Sequence, residues 1–357
     1  MKVGILHTAF IGDIVLLGLL IEALYTDKHE IYLIIKKESL LLYNNDYRIK
    51  KCIAIDKKSG FKKIKSIFLI SQQIKSLSLD VILVPHKSVT TALCVLFAKV
   101  PKSIGFNDSA LKFVYRELMP FNKSKHECLR CLDLAPRWLL SEASYQIALK
   151  ISRPILIPNK SLSIFNEKNP DFFSKESFYF IVNPGSAWAT KKYPALNFAK
   201  AIFLILSNSQ NLTCILAGSR NDYNDIKCIL DYFDAYPHLK NKIIDVSKYL
   251  PLDEFVTLVS KASFVIANDS SPVHIASASN VPVVVIFGPT SWTFGFYPTS
   301  EKSTILVYRD AAGNTLSCHP CTNHGSSVCP EKHFKCMREL SPEIILDSVQ
   351  KMLPHFF

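Results

Sequence analysis

Strand-like apolar runs and helical segments alternate along this chain from end to end. Lys2–His7 is a short apolar run; after it, Ile14, Leu17, Ile21 and Leu24 fall three or four apart, on one face of a helix. Repeated strand–helix alternation implies parallel sheets joined by helical crossovers, the α/β class. Strands are expected over Lys2–His7, Glu30–Ile35, Val81–Val84 and Ser103–Gly105, with helices over Asp13–Tyr25, Ile64–Leu77 and Ser88–Lys99. Residues 151–176 break the pattern, because Pro154, Pro158 and Pro170 stand there among Asn and Ser, the composition of a linker. The alternation then restarts. Strands are expected over Tyr179–Val182, Thr213–Ala217, Ile243–Asp245, Phe264–Ala267 and Val283–Phe287, and helices over Ala195–Ser207, Asp222–Phe233, Leu252–Lys261 and Pro272–Ser279. The expected organisation is two α/β halves, 1–165 and 176–340, with a last helix in 341–357. A cleft between two such halves is a usual place for a ligand.

Four strand ends carry short polar residues just ahead of a helix. Ligands of open α/β sheets bind at the C-terminal ends of strands, and helix N-termini present N–H groups and a positive dipole end that suit phosphates. In HTAFIGDIVLLGLL (7–20), Asp13 at the helix start is either a cap or a carboxylate able to act as a general base. In VNPGSAWATKKYP (182–194), Ser186 lies in a tight turn, and Lys191 and Lys192 either neutralise phosphate or are ordinary surface lysines. In LAGSRNDYND (216–225), Asp222 either binds ribose hydroxyls or caps the next helix. In VIANDSSPVHIASASNVPVVVIFGPT (265–290), Asp269, Ser270 and Ser271 precede Pro272, which suits a first helical turn, with His274 close behind. This is either a diphosphate cradle or a capped helix with a structural histidine.

Other signatures are absent from the sequence. There is no G-x-G-x-x-G, no G-x-x-x-x-G-K-[ST] and no G-x-S-x-G. The longest apolar runs, Ile14–Ile21 and Val281–Gly288, are far shorter than the ~20 residues that span a bilayer. No charged leader with a cleavage site opens the chain, so it reads as soluble and cytoplasmic, with its ten cysteines reduced. The net charge of +12 is lopsided: residues 1–150 hold 23 Lys+Arg against 13 Asp+Glu, the remainder 19 against 17. Lys50, Lys51, Lys57, Lys58, Lys62, Lys63 and Lys65 crowd one stretch. Such a half suits a membrane surface, an anionic lipid or a nucleic acid, or simply carries solvated lysines. No nucleic-acid motif accompanies the charge.

Taken in order, TAFIGDIVL (8–16), NPGSAWATKKYP (183–194), NDSSPVHIASASNVPVVVIFGPT (268–290) and CHPCTNHGSSVCPEKHFKCM (318–337) resemble the bacterial heptosyltransferases of lipopolysaccharide core synthesis, glycosyltransferase family nine, and more nearly their type II branch. The resemblance implies a GT-B fold, two Rossmann-like domains facing across a cleft, the first taking the acceptor and the second the nucleotide sugar. It implies ADP-L-glycero-D-manno-heptose as donor, the Kdo or heptosyl-Kdo part of a lipid A–core molecule as acceptor, inversion at the anomeric carbon, and no cofactor or metal. Carried onto this chain, Asp13 is the catalytic base and Lys191 steadies the departing ADP. Asp269 contacts the donor sugar; Ser270, Ser271 and the following amides hold the diphosphate. His274 sits near the donor, Ser186 on the phosphate-side turn, and Asp222 at the ribose. Ser271 stands where the family usually has Gly, and Tyr193 where Trp is commoner. Cys318, Cys321, Cys329 and Cys336 belong to the family pattern; their spacing admits zinc, but the segment is read as a structural loop. Cys128 and Cys131 are read as packing residues. The basic half would face an anionic membrane surface, and nucleic acid is not an expected partner. Alternatives are a relative using another sugar nucleotide or acceptor, or a noncatalytic relative that binds the nucleotide sugar.

Overall fold

In the computed structural model, which describes residues 1–55, 62–159, 161–173, 178–209 and 211–357, contacts divide the chain into two units, Met1–Ile157 and Pro158–Phe357. Lys57, Lys58 and position 176, the expected start of the second half, lie outside the described residues.

The first unit holds β1 (Lys2–His7), β2 (Glu30–Lys36), β3 (Ile49–Ile55), β4 (Val81–Val84), β5 (Lys102–Phe106) and β6 (Glu117–Met119). They form one parallel sheet in the order β3-β2-β1-β4-β5-β6, with Ile5 level with Leu33 on one side and Leu83 on the other. β1 and β4 are apolar along almost their whole length because helices cover both faces of a parallel sheet. The helices are α1 (Ile11–Val15), α2 (Gly18–Thr26), α3 (Lys62–Ser76), α4 (Val89–Ala98), α5 (Glu127–Asp133) and α6 (Glu142–Ile151). The single helix expected over Asp13–Tyr25 is two. Leu17 N bonds Ile14 O at 3.2 Å, closing a turn after α1. A Cβ on Gly18 would then stand 2.1 Å from the Ile155 carbonyl oxygen, so the backbone crosses there through space that only glycine leaves.

The second unit holds β7 (Phe178–Asn183), β8 (Leu212–Leu216), β9 (Ile243–Asp245), β10 (Phe264–Asn268), β11 (Val283–Phe287) and β12 (Ser303–Val307). Its parallel sheet runs β12-β11-β10-β7-β8-β9, the order of the first sheet repeated. Its helices are α7 (Ser163–Lys168), α8 (Ala195–Asn208), α9 (Tyr223–Tyr232), α10 (Pro237–Lys240), α11 (Leu252–Ser260), α12 (Ser271–Ala278), α13 (Lys335–Arg338) and α14 (Pro342–Met352). Phe180 and Phe264 stack at 4.8 Å across β7 and β10, inside a core that includes Tyr193, Phe198 and Met337. Among the described residues no helix is long and apolar enough to cross a membrane. In each sheet the strand order reverses once, between β1 and β4 and between β7 and β10, and a crevice opens at the strand C-termini of such a point.

Candidate active site

β7 and β10 end side by side, each on an asparagine. The buried Asn268 amide ties two turns together: its Nδ2 donates to Pro184 O at 2.8 Å and its Oδ1 accepts from Tyr193 N at 3.0 Å. That tether brings Lys191 to the end of β10. Lys191 Nζ lies 2.6 Å from Asp269 Oδ2, and the two side chains are only 15% and 9% exposed. Thr290 Oγ1, beyond β11, donates to the same carboxylate oxygen at 2.7 Å. An ion pair withdrawn from water holds only when further hydrogen bonds satisfy it, and Thr290 supplies one.

His274 is buried one turn into α12, with Phe296 edge-on at 6.4 Å. Burial, and then the Lys191 charge, lower its pKa to about 4, so the imidazole is neutral at pH 7. Its Nδ1 makes no hydrogen bond among the described residues. A buried polar atom left without a partner is costly unless a ligand or water meets it. Ser270 precedes the helix in an extended conformation, its Oγ donating to Asn268 O at 3.2 Å, and Ser271 is the first residue of α12.

Lys192 turns away from its neighbour, and its Nζ meets Asp222 at 2.9 Å and Asp225 at 2.8 Å. The other Asp222 oxygen accepts from Ser219 N at 3.0 Å and Ser219 Oγ at 2.7 Å. Asp222 thus closes the 3-10 turn Arg220–Asp222 with Ser219; it precedes α9, but its side chain makes no capping bond to that helix. Gly185 sits directly on it: a Cβ there would be 2.5 Å from the Asp222 carboxylate. Ser186, next in that turn, accepts from Trp188 N at 3.5 Å. The site residues read from the second half therefore share one end of the sheet. Sequence reasoning missed Asn268 and Thr290, whose only signal was their place at a strand end.

In the first unit, Asp13 lies in the first turn of α1, partly exposed, and its Oδ2 accepts from Phe10 N at 3.1 Å. Tyr43 Oη donates to Ile14 O at 3.0 Å and anchors this short helix. At the strand-order reversal, His7 stacks on His86 with centroids 5.4 Å apart, and Thr8 Oγ1 and His86 Nδ1 hydrogen-bond at 2.7 Å. Burial, then His86 and Lys36, lower the His7 pKa well below the usual range. Glu127, at the start of α5, pairs with Arg130 at 3.0 Å. Burial raises its pKa to about 7; Arg130 opposes that rise and the Asp13 charge adds to it. The sequence offered no sign that this second carboxyl would come within electrostatic reach of Asp13.

The cysteine-rich segment braces the second-unit site. Cys321 N and Thr322 N donate to Pro289 O, and Ser326 exchanges bonds with Thr190 at 2.8 to 3.1 Å, so the segment holds both the Thr290 turn and the Lys191 turn. Its four cysteines are free thiols. Burial, with the other three thiols adding, pushes Cys336 up to about 12. Among the described residues no three His, Cys, Asp or Glu side chains group as a metal-ion set. Cys128 and Cys131 are fully buried.

A family model described as Glycosyltransferase family 9 (heptosyltransferase) matches residues 67–328. The chain belongs to glycosyltransferase family 9. The match takes in Lys191, Asp269, His274 and Thr290 and begins after Asp13. A relative, lipooligosaccharide heptosyltransferase 2 of Campylobacter jejuni subsp. jejuni serotype O:6, is 28% identical over 242 residues, 65% of this chain and 66% of that one. The solved Escherichia coli ADP-heptose lps heptosyltransferase II superposes with a TM-score of 0.76 over 99% of each chain, at 18% identity. E. coli heptosyltransferase WaaC with ADP-2-deoxy-2-fluoro heptose gives 0.66 over 98% of this chain and 99% of that one, at 13% identity. At such identities the likeness is one of fold, and the two Rossmann-like units are those of the GT-B class. As a family 9 member the chain is a glycosyltransferase of the heptosyltransferase kind.

Proposed function

We propose that this family 9 enzyme transfers L-glycero-D-manno-heptose from ADP-heptose to the Kdo/heptose inner core of lipopolysaccharide, with inversion. The observation that carries this reading is the buried Lys191–Asp269–Thr290 cluster beside an unpartnered His274 nitrogen, inside the stretch that matches the family. Support for the donor comes from the WaaC structure, whose ligand is a fluorinated ADP-heptose. Support for the acceptor comes from the relatives' names, lipooligosaccharide and lipopolysaccharide heptosyltransferases.

In this reading the second unit holds the donor. Lys191 offsets the charge that grows on ADP as the sugar–phosphate bond breaks. Ser270, Ser271 and the first amides of α12 hold the diphosphate, with Ser186 on the facing turn. Asp269 orients the sugar, and neutral His274 gives its unused nitrogen to the donor. Asp222 is a weaker ribose contact, since Ser219 and Lys192 already occupy both of its oxygens. The first unit holds the acceptor. Asp13 takes the proton of its hydroxyl as that oxygen attacks the anomeric carbon in line with the departing ADP, and one displacement inverts the centre. Lysine, hydroxyls and amides meet the diphosphate charge, so the reading requires no metal or other cofactor. The acceptor's lipid places the enzyme at the inner face of the cytoplasmic membrane.

The test is incubation of the full chain with ADP-heptose and acceptors ending in Kdo or in heptose, reading ADP release and product mass. A product heavier by one heptose is expected. ADP-heptose bound but never transferred would favour another acceptor or a noncatalytic relative, and absence of binding would overturn the donor assignment.

A further inference from the structure

α3 is apolar on both faces. Ile67, Ile70 and Ile74 enter the core of the first unit, as a helix packed on a sheet requires. Ile64, Phe68 and Leu69 face the other way, into solvent. α4 packs against α3 and against the short 3-10 turn Lys112–Val114, and it repeats the arrangement: Ala92, Cys94 and Val95 are inside, Leu96 and Phe97 outside. Phe113 projects from that turn. These six outward side chains are 46% to 80% exposed. Single exposed apolar residues are ordinary, but six on three packed elements mark a surface with a partner.

The charge around them says which partner. Lys65, Lys75, Lys99 and Lys112 are all exposed on the same elements or directly beside them. Neither helix nor the turn carries an acidic residue. Over positions 57–116 the sequence has eleven Lys+Arg against two Asp, so nine of the chain's twelve net positive charges fall here. Both aspartates are engaged elsewhere, Asp80 with Lys2 N at 2.8 Å and Asp108 with Lys87 at 2.7 Å. Large apolar side chains with lysines interspersed match an anionic headgroup layer over hydrocarbon: the lysine heads meet lipid phosphates while the aromatic and branched groups enter the acyl boundary.

We propose that the outer face of α3, α4 and the turn Lys112–Val114 docks the protein on an anionic lipid bilayer. None of the residues on this face is among the site residues described above. Its usefulness to the enzyme rests on the proposed lipid-anchored acceptor, but its existence does not.

The experiment is co-sedimentation of the full chain with phosphatidylglycerol-containing vesicles and with phosphatidylcholine vesicles, at low and high salt. Wild type is expected to bind the anionic vesicles and to weaken as salt screens the lysines. Lys112→Glu is expected to weaken binding at least about fivefold, the equivalent of one lysine near the surface. The double variant Phe68→Ser, Phe113→Ser loses apolar insertion while keeping every charge, and is expected to weaken binding about tenfold or more. Both phenylalanines are exposed, so thermal unfolding should match wild type. Unchanged binding by the phenylalanine variant, or no binding of wild type to anionic vesicles, overturns the proposal. So does wild-type self-association without lipid that the variant abolishes, because the face would then belong to a second copy. Transfer to a short water-soluble acceptor, run in parallel, reports on the reaction alone and should be equal in wild type and variant.

Discussion

Lys191 and Asp269 are 78 positions apart in sequence and 2.6 Å apart in the fold. The pair exists because β7 and β10 are neighbours, and because Asn268 holds the Lys191 turn against the β10 end. It keeps an ammonium at the strand-order reversal, where the diphosphate of the proposed donor would lie.

Removing either partner should therefore have different consequences. Lys191→Ala is expected to cost about 1.5–3 kcal/mol of ADP affinity, the range for a hydrogen bond to a charged group. Asp269→Asn frees the lysine, so ADP binding is expected to persist while sugar transfer falls. Calorimetric titration with ADP, beside a transfer assay, separates the two.

Gly185 is where a single methyl group should disturb the candidate site directly. In Gly185→Ala the new Cβ would lie 2.5 Å from the Asp222 carboxylate, which also holds Ser219 and Lys192. A loss of about 1–3 kcal/mol in stability is expected from the overpacking, with weaker donor binding. Denaturant unfolding and ADP titration of this one variant check both.

Glu127 gives stability a pH signature. Its folded pKa is raised from 4.5 to about 7. Between those values the unfolded carboxyl is ionised while the folded one keeps its proton, so the native state binds more protons and stability falls as pH rises. His274 and His7 act oppositely, because their lowered pKa values make stability rise with pH below about 6.5. The difference between Glu127→Gln and wild type cancels the histidines. Measured by urea unfolding, the variant is expected to gain on wild type from pH 4.5 to pH 7, by on the order of 3 kcal/mol at most.

The central strands were legible because burial on both faces leaves continuous apolar runs, as in β10 and β11. The edges were not. β3 reads Ile-Lys-Lys-Cys-Ile-Ala-Ile and keeps its lysines exposed at the rim of the sheet, and β6 is three residues paired to β5 alone. The site divides in the same way. Lys191 and Asp269 stand at a strand end or in a turn ahead of a helix, and Asp13 in the first turn of one, and local sequence displays that. Thr290 reaches Asp269 only through the register of β10 with β11, and Glu127 comes near Asp13 only because α5 packs on α2. Nor could sequence say which of two adjacent lysines meets Asp269. The 3-10 turn Ala189–Lys191 sends Lys191 to that aspartate and Lys192 to Asp222.

The most direct measurement is heptose transfer by wild type and Asp13→Asn side by side, with ADP-heptose and a heptosyl-Kdo acceptor, reading product mass and the anomeric configuration of the new bond by NMR. Wild type is expected to give an inverted linkage, and Asp13→Asn to bind ADP normally yet lose transfer by about two to four orders of magnitude, the span of general-base catalysis. Undiminished transfer by Asp13→Asn, or a product with retained configuration, would contradict the assignment of Asp13 as the base of a single inverting displacement.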